Sequence, residues 1–248
     1  MAQIKILYRN ILENSTVTPS NENSTYPSYR LYDRDIGKLF KGNSSVGDFY
    51  ITIDQGASAS NPIYIVDHLV IPIGHNLNGS SMWLQYSTGG AYVSATSWSQ
   101  SSTGTINKTI TTTGNHRYWR LDIVQATAIP ELPELFLGQD YTFQKNPSFG
   151  SRTGIKANVM REETQSGKRR AVQLGELRET RTYDLSVIET TQKDDFEIWI
   201  EHTEGLKPVY LTDEAGNVLY VELLNDLDFS YKARNNIYSV VLEFQEVI

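Results

Sequence analysis

The chain has 248 residues, of which 39% are hydrophobic, so it is long enough for one large domain or two domains of ordinary size. Its formal net charge of −7 at pH 7 argues against a general role in binding nucleic acid or anionic membranes. It contains no cysteine, which excludes disulfides, thiolate metal sites and cysteine nucleophiles.

The first 140 residues contain short runs in which apolar and polar residues alternate, as in strands with one buried face. Gly89 and Gly90 follow one of these runs and indicate a hairpin turn. A succession of short strands separated by turns is typical of a β-sandwich. We predict strands at residues 4–8, 49–56, 63–73, 82–87, 116–123 and 133–138.

Residues 116–123 and 133–138 resemble the last two strands of the galactose-binding-like jelly roll, the discoidin or coagulation-factor C-type domain. The resemblance implies a jelly-roll β-sandwich over residues 1–142 and a role in recognition or assembly. Further pieces resemble the same family in the same order, namely the loop at 32–37 and the strands with their following turns at 51–56, 70–77 and 84–90.

The composition changes near residue 140. Up to that point there are 9 Lys and Arg against 11 Asp and Glu, and beyond it 13 against 18. Residues 143–150 contain Pro147 and Gly150 and show no periodicity, so we predict a linker there and a second domain over 151–248.

The second domain is predicted to be β-rich with one helix between residues 187 and 204. Thr191 stands three residues before Asp194, a spacing typical of a capping box. Phe196 and Trp199 then share one face of the helix. With strands predicted at 180–188, 208–211, 218–224 and 237–244, the fold class is all-β, with a small β-barrel or sandwich in this domain.

Residues 178–185, 207–211 and 238–247, together with the helix around Trp199, resemble the tube-like domain of bacteriophage tail proteins. The resemblance implies a non-enzymatic distal-tail or baseplate protein of the virion that assembles into a ring, six subunits being usual. In this interpretation the N-terminal jelly roll docks other tail or baseplate proteins or contacts host-surface glycans. The alternative interpretation is a carbohydrate-binding adhesion module without a tail role.

Residues 151–176 combine a charged centre with flanking apolar residues, which predicts a long hairpin with a charged tip and a packed base. In a ring, Lys168, Arg169 and Arg170 at this tip would contact a neighbouring subunit. The other interpretation is a solvated hairpin tip, because charge runs are usually solvated. The apolar residues expected to pack at the base are Ile155, Val159, Val172 and Leu174.

The four histidines are scattered, and the sequence has no zinc-hydrolase or serine-nucleophile motif, so no enzyme activity, metal site or cofactor is predicted. Aromatic side chains stack well on sugar rings. We predict Trp98 and Tyr92 as ligand-binding residues and assign Trp83 to the core. Asp33 and Asp35 are interpreted as turn-forming residues rather than calcium ligands.

Overall fold

The computed structural model describes residues 3–43, 47–56, 63–112, 114–125, 128–143, 151–157, 159–163, 169–173, 176–205, 207–233 and 236–247. The chain divides into two compact units, Leu7–Asp140 and Met1–Ile6 together with Tyr141–Ile248. Strands dominate both, and one α-helix lies in the C-terminal part, which confirms the all-β fold class. Phe143, the first residue of the predicted linker, is buried, while residues 144–150 lie outside the described residues.

The strands up to residue 142 are short and closely spaced, and two 3-10 helices, Ile11–Asn14 and Ser28–Leu31, lie between them. The strands are β1 Lys5–Asn10, β2 Thr16–Pro19, β3 Phe40–Lys41, β4 Gly47–Asp54, β5 His68–Ile71, β6 Ser81–Ser87, β7 Val93–Ser99, β8 Ile106–Thr109, β9 Tyr118–Gln125, β10 Glu131–Leu132 and β11 Phe136–Thr142.

Two layers of strands form the sandwich of the first unit. One sheet has the order β2-β4-β9-β6-β7, and the other layer has the order β1-β11-β5-β8. Alternate side chains point inward from each layer because successive residues of a strand face opposite sides. Burial of this apolar surface is the main source of stability for the unit. The inward-facing residues that make one cluster include Ile51, Leu84 and Leu121 of the first sheet and Leu69, Ile71 and Leu137 of the second layer.

The strand predicted at 63–73 is longer than the strand that forms, which covers only His68–Ile71. The side chain of Gln55 explains the difference at the N-terminal end. Its Nε2 donates to the carbonyl oxygen of Tyr64 at 3.1 Å, and its Oε1 accepts from the amide of Tyr64 at 2.8 Å. The backbone of Tyr64 is therefore satisfied by a side chain instead of a neighbouring strand.

The second unit has a sheet of order β12-β15-β19-β17-β16, with β18 paired to β19, and a separate hairpin of β13 and β14. These strands are β12 Arg152–Lys156, β13 Val159–Glu163, β14 Arg169–Gln173, β15 Arg178–Ile188, β16 Val209–Thr212, β17 Val218–Leu223, β18 Ser230–Ala233 and β19 Ile237–Glu246.

The helix α1, Thr190–Thr203, begins one residue before the predicted cap. Its N-cap is Glu189, whose amide donates to Oε1 of Gln192 at 3.4 Å, so the predicted pairing of Thr191 with Asp194 is wrong. Phe196 and Trp199 are buried as predicted and pack in the aromatic core of this unit. In the described part of the chain, no helix is long and apolar enough to span a membrane.

The hairpin predicted within residues 151–176 forms between β13 and β14, but two of its predicted apolar flanking residues, Ile155 and Val172, are exposed. Ile155 is 73% exposed and Val172 is 57% exposed, which corrects the expectation of a buried base. For Val172 the reason is that the β13–β14 ladder is a separate two-stranded sheet, so a second layer does not cover it within the described residues, whereas Ile155 lies on β12 of the larger sheet. Leu174 lies outside the described residues.

Two of the three charged residues predicted for ring contact, Arg169 and Arg170, lie on β14 of this hairpin. Arg169 is exposed, and its Nε lies 3.3 Å from Oε2 of Glu163. Arg170 pairs with Glu162 in the backbone register, and Lys168 lies outside the described residues. Their role in ring contact stays a prediction.

The close approach of β1 to β11 gives a test of the fold. A Cβ at Gly138 would lie 1.9 Å from the carbonyl oxygen of Arg9, a backbone atom that cannot move aside. We expect Gly138→Ala to lower the free energy of unfolding by about 3 kcal/mol or more, at the upper end of overpacking costs. Urea denaturation followed by circular dichroism measures it.

Gly90→Ala is the matched control, because a Cβ there would meet no atom within 4 Å. A Gly138→Ala protein as stable as the Gly90→Ala protein would contradict the close packing of these strands.

Candidate functional site

The face of the β2-β4-β9-β6-β7 sheet that points away from the core carries aromatic and charged side chains. We call it the outer face. The strand register places Tyr50 of β4 opposite Asp122 of β9, and Asp122 opposite Trp83 of β6. In the neighbouring row, Arg120 of β9 lies beside Gln85 of β6. A short stretch of three strands thus brings rings, a cation and a carboxylate together.

Arg120 is the centre of this group. Its guanidinium contacts Asp122 through two nitrogens, with Nε 2.9 Å from Oδ1 and Nη2 3.0 Å from Oδ2. Its Cζ lies 4.6 Å from the ring centroid of Tyr92 and 5.4 Å from that of Tyr50. Both contacts are within the range of cation–π attraction, so the carboxylate fixes the guanidinium and the guanidinium orders the rings.

A second pair of the same kind lies at the next position along the outer face. Arg117 contacts Asp54 through Nε at 2.7 Å and Nη2 at 2.9 Å, and its Cζ lies 4.7 Å from the ring centroid of Tyr118. This side-chain hydrogen bonding with Arg117 holds the pKa of Asp54 below its usual range.

Both arginines of the outer face are paired with carboxylates, Arg120 with Asp122 and Arg117 with Asp54, and exposed Asp48 on the same face of β4 adds a negative charge. Burial raises the pKa of Asp122, and the hydrogen bond from Arg120 opposes that rise. Burial also raises the pKa of the Tyr92 hydroxyl, which therefore stays protonated at neutral pH. The face offers ring surfaces, hydrogen-bond donors and hydrogen-bond acceptors, with both arginines already paired to carboxylates.

The structure places the two residues predicted to bind ligand on opposite faces of the sheet. Tyr92 lies beside Arg120 on the outer face. Trp98 is opposite Met82, which is fully buried, so its ring faces inward and packs against the core. Trp83, assigned to the core, instead lies opposite Asp122 on the outer face and is half-buried, which corrects that assignment.

Sequence reasoning did not select Tyr50 and Arg120, although a signal was present. Strict alternation along residues 116–123 places Arg120 on the face opposite Trp119 and Leu121. Trp119 and Leu121 are fully buried, so Arg120 had to point away from the core.

Two other residues have the local roles expected from the sequence. The amide of Asp35 donates to Oδ1 of Asp33 at 3.1 Å, and the amide of Gly37 donates to Oδ1 of Asp35 at 3.1 Å. These bonds form the predicted turn. One group that could hold a metal ion was not predicted: Asp67, His68 and Asp140 bring their donor atoms within 4.8 Å of one another.

No family model matches the sequence, and neither does any curated protein. Solved structures do match about half of the chain. Chitosan-binding module 1 of a chitosanase/glucanase from Paenibacillus sp. IK-5 is 16% identical, with a TM-score of 0.45 over 53% of this chain and 99% of the module.

Two further matches are of the same kind. The Clostridium perfringens module CpGH89CBM32-5, in complex with GalNAc-β-1,3-galactose, is 14% identical over 54% of this chain and 99% of the module, with a TM-score of 0.44. Chitosan-binding module 2 of the Paenibacillus enzyme, in complex with chitotriose, is 14% identical over 52% of this chain and 100% of the module, with a TM-score of 0.44. At these low scores, the function of this chain has to be inferred from its own residues.

The ion pair of Asp54 with Arg117 predicts a pH-dependent contribution to stability. The folded-state pKa of Asp54 is lower than its ordinary value of 3.8, so the pair stabilises the fold above about pH 4. This stabilisation is lost as the pH falls through the folded-state pKa. We expect Asp54→Asn to lower the free energy of unfolding at pH 7 and the difference from the unmodified protein to shrink at pH 3, as measured by urea denaturation.

Asp48→Asn removes an exposed carboxylate from the same strand and is the control for a change in net charge. A difference for Asp54→Asn that is equally large at pH 3 and pH 7 would contradict the ion-pair explanation.

Proposed function

We propose that the protein is a non-enzymatic glycan-binding module, and that the outer face of the β2-β4-β9-β6-β7 sheet binds an uncharged oligosaccharide. The observation that carries this proposal is the position of Arg120 close to the rings of both Tyr50 and Tyr92, with Asp122 fixing its guanidinium. This choice favours the carbohydrate-binding interpretation of the sequence over the tail-component interpretation for the N-terminal unit.

The chemistry of sugars matches these side chains. A sugar ring presents an apolar C–H face, which stacks on an aromatic ring, and a rim of hydroxyls, which both donate and accept hydrogen bonds. Tyr50 is 38% exposed and offers such a ring surface. Arg120 supplies donors and Asp122 supplies acceptors at the same place.

The pairing of both arginines with carboxylates supports an uncharged ligand. An anionic sugar would have to compete with Asp122 for Arg120 and with Asp54 for Arg117. Arg117 holds Asp54 by two hydrogen bonds, and such bidentate pairs are stronger than single ones. Arg120 holds Asp122 by one hydrogen bond from Nη2 and by a 2.9 Å contact of Nε with Oδ1. A neutral hydroxyl can bind the remaining donors and acceptors without breaking either pair.

Binding is tested by titration calorimetry with uncharged or weakly charged oligosaccharides, after a screen on a glycan array. GalNAc-β-1,3-galactose, which is named with one of the matched structures, is the first uncharged probe, and chitotriose, whose amines are partly protonated at neutral pH, is the charged comparison. We expect Tyr92→Ala and Arg120→Ala each to weaken the binding of an array hit by about three- to tenfold, the factor expected from one aromatic or cation–π contact.

Tyr29→Ala is the control, because Tyr29 is an exposed tyrosine, 51% exposed, of the same unit and does not lie on this sheet. Absence of binding to every uncharged glycan on the array would overturn the proposal. Equal losses for Tyr29→Ala and Tyr92→Ala would place the glycan elsewhere.

We also infer that the second unit forms a homo-oligomer. Ile155 is 73% exposed, Val172 57% and Met160 47%, and all three lie on β12 or on the β13–β14 hairpin. Met160 and Val172 lie opposite each other in the hairpin, and neighbouring exposed apolar side chains are typical of interaction surfaces. The resemblance to tail-tube domains suggests a ring, with six subunits favoured, in a phage tail next to other tail or baseplate proteins. The virion location and these partners rest on that resemblance alone.

Light scattering coupled to size-exclusion chromatography tests the oligomer. We expect the unmodified protein to elute as a multimer and the double change Ile155→Ser with Val172→Ser to shift the mass toward a monomer, because it removes apolar area from the contact. Val93→Ser is the control, since Val93 is 52% exposed and belongs to the first unit. A monomeric mass for the unmodified protein at every concentration would contradict self-assembly.

A further inference from the structure

A histidine and two aspartates from distant parts of the sequence meet where β5 begins and β11 approaches its end. His68 is the first residue of β5, Asp67 precedes it, and Asp140 lies on β11. His68 Nδ1 lies 3.0 Å from Oδ2 of Asp140 and 3.7 Å from Oδ1 of Asp67. The donor atoms of all three residues lie within 4.8 Å of one another.

The fold fixes each of the three residues. The amide of Asp67 donates to the carbonyl oxygen of Gly138 at 3.0 Å, and the carbonyl oxygen of Asp67 accepts from the amide of Ile110 at 2.7 Å. Oδ1 of Asp67 accepts from the backbone amide of Asp140 at 2.9 Å. The carboxylate of Asp67 is therefore bonded to the backbone of the residue that supplies the second carboxylate. The carboxylates therefore hold their places without depending on flexible loops.

The imidazole of His68 is also oriented. Its side chain is 3% exposed, and Nε2 lies 3.4 Å from Oγ1 of Thr109 on the adjacent strand β8. A contact at one ring nitrogen directs the other toward the carboxylates, the arrangement that metal-binding histidines commonly have. The Asp67 side chain, 32% exposed, leaves one side of the group open to water.

The spacing and the donor types indicate a particular class of ion. Zinc binds histidine nitrogen and carboxylate oxygen at about 2.0–2.2 Å, which places neighbouring donor atoms of a tetrahedral site about 3.3–3.6 Å apart. The distances of 3.0 and 3.7 Å from His68 Nδ1 lie on either side of this range, and side-chain shifts of about 0.3 and 0.1 Å bring them into it. Calcium and magnesium prefer oxygen donors only, so the imidazole favours a transition metal.

We propose that Asp67, His68 and Asp140 bind a divalent transition-metal ion such as Zn²⁺, with water completing the coordination. The ion would join β5 to β11 and stabilise the sandwich, since a ligand that binds only the folded state shifts unfolding to higher temperature. The same atoms can instead form an ion pair between a protonated imidazole and Asp140, and the experiment separates these two possibilities.

The test uses the full chain without a histidine tag, treated with EDTA and exchanged into chelator-free buffer. ZnCl₂, MnCl₂ and CaCl₂ are titrated separately by calorimetry, and the midpoint of thermal unfolding is followed with increasing metal. We expect saturable binding of one Zn²⁺ per chain, a rise in the midpoint with Zn²⁺ concentration, and a visible absorption band when Co²⁺ replaces Zn²⁺.

The variants Asp67→Asn and Asp140→Asn should each weaken Zn²⁺ binding by more than about tenfold, because a neutral amide oxygen is a poor substitute for a carboxylate. Asn at position 67 keeps the oxygen that accepts from the amide of Asp140, so this variant is expected to fold. His68→Gln should abolish the Co²⁺ band. Asp48→Asn, which removes an exposed carboxylate from β4 of the same unit, is the control and should bind as the unmodified protein does.

Several results would overturn the proposal. These are the absence of saturable Zn²⁺ binding, equal affinity in Asp48→Asn and Asp140→Asn, or binding of Ca²⁺ without any response to Zn²⁺. In the first case the three residues are an ion pair only.

Discussion

The fold of the first unit depends on how β1, its first strand, pairs with β11, its last strand. The side chain of Asn10, 1% exposed, joins β1 to β11, because Nδ2 donates to the carbonyl oxygen of Leu135 at 2.9 Å and Oδ1 accepts from the amide of Leu137 at 3.2 Å. Loss of one partner of a buried amide costs about 1–3 kcal/mol, so these bonds specify a single register. In that register Gly138 lies against Arg9, where only glycine fits, and opposite His68 of β5.

The packing of the two layers also determines which face of the β2-β4-β9-β6-β7 sheet is exposed. With one side of β4, β9 and β6 packed against the second layer, every other residue of these strands must face outward. Tyr50, Arg120 and Asp122 therefore occupy neighbouring positions on the outer face as a consequence of register and not of any local motif. The ion pairs on this face keep charged groups satisfied beside rings that would otherwise be an exposed apolar patch.

The sequence predicts the strands whose two faces differ most in polarity. Residues 49–56 and 116–123 alternate clearly, and β4 and β9 form there. In contrast, β7 and β8 lie in a Ser- and Thr-rich stretch where the faces differ little, so composition favours a loop. The face of Trp83 follows from the regular pairing of β6 with β9, whereas the face of Trp98 depends on the pairing of β6 with β7.

That pairing is irregular, because the register shifts between Leu84 and Gln85. A shift of one residue exchanges the two faces of a strand, so sequence alternation alone could not place Trp98 on the inner side. The group of Asp67, His68 and Asp140 could not be predicted from the sequence for another reason. Asp140 lies 73 residues after Asp67 in the sequence, and only the pairing of β5 with β11 brings it to Asp67 and His68.

The proposed glycan face and the proposed metal group lie on different layers of the sandwich. Tyr50, Arg120 and Asp122 belong to β4 and β9, whereas His68 and Asp140 belong to β5 and β11. Energetic coupling between two sites requires an element with two arrangements that both ligands affect. The tightly packed core between the layers offers no such element among the described residues, since its members are almost completely buried in one cluster. A metal ion would therefore act on the stability of the unit, and the affinity for a glycan would be set by the outer face alone.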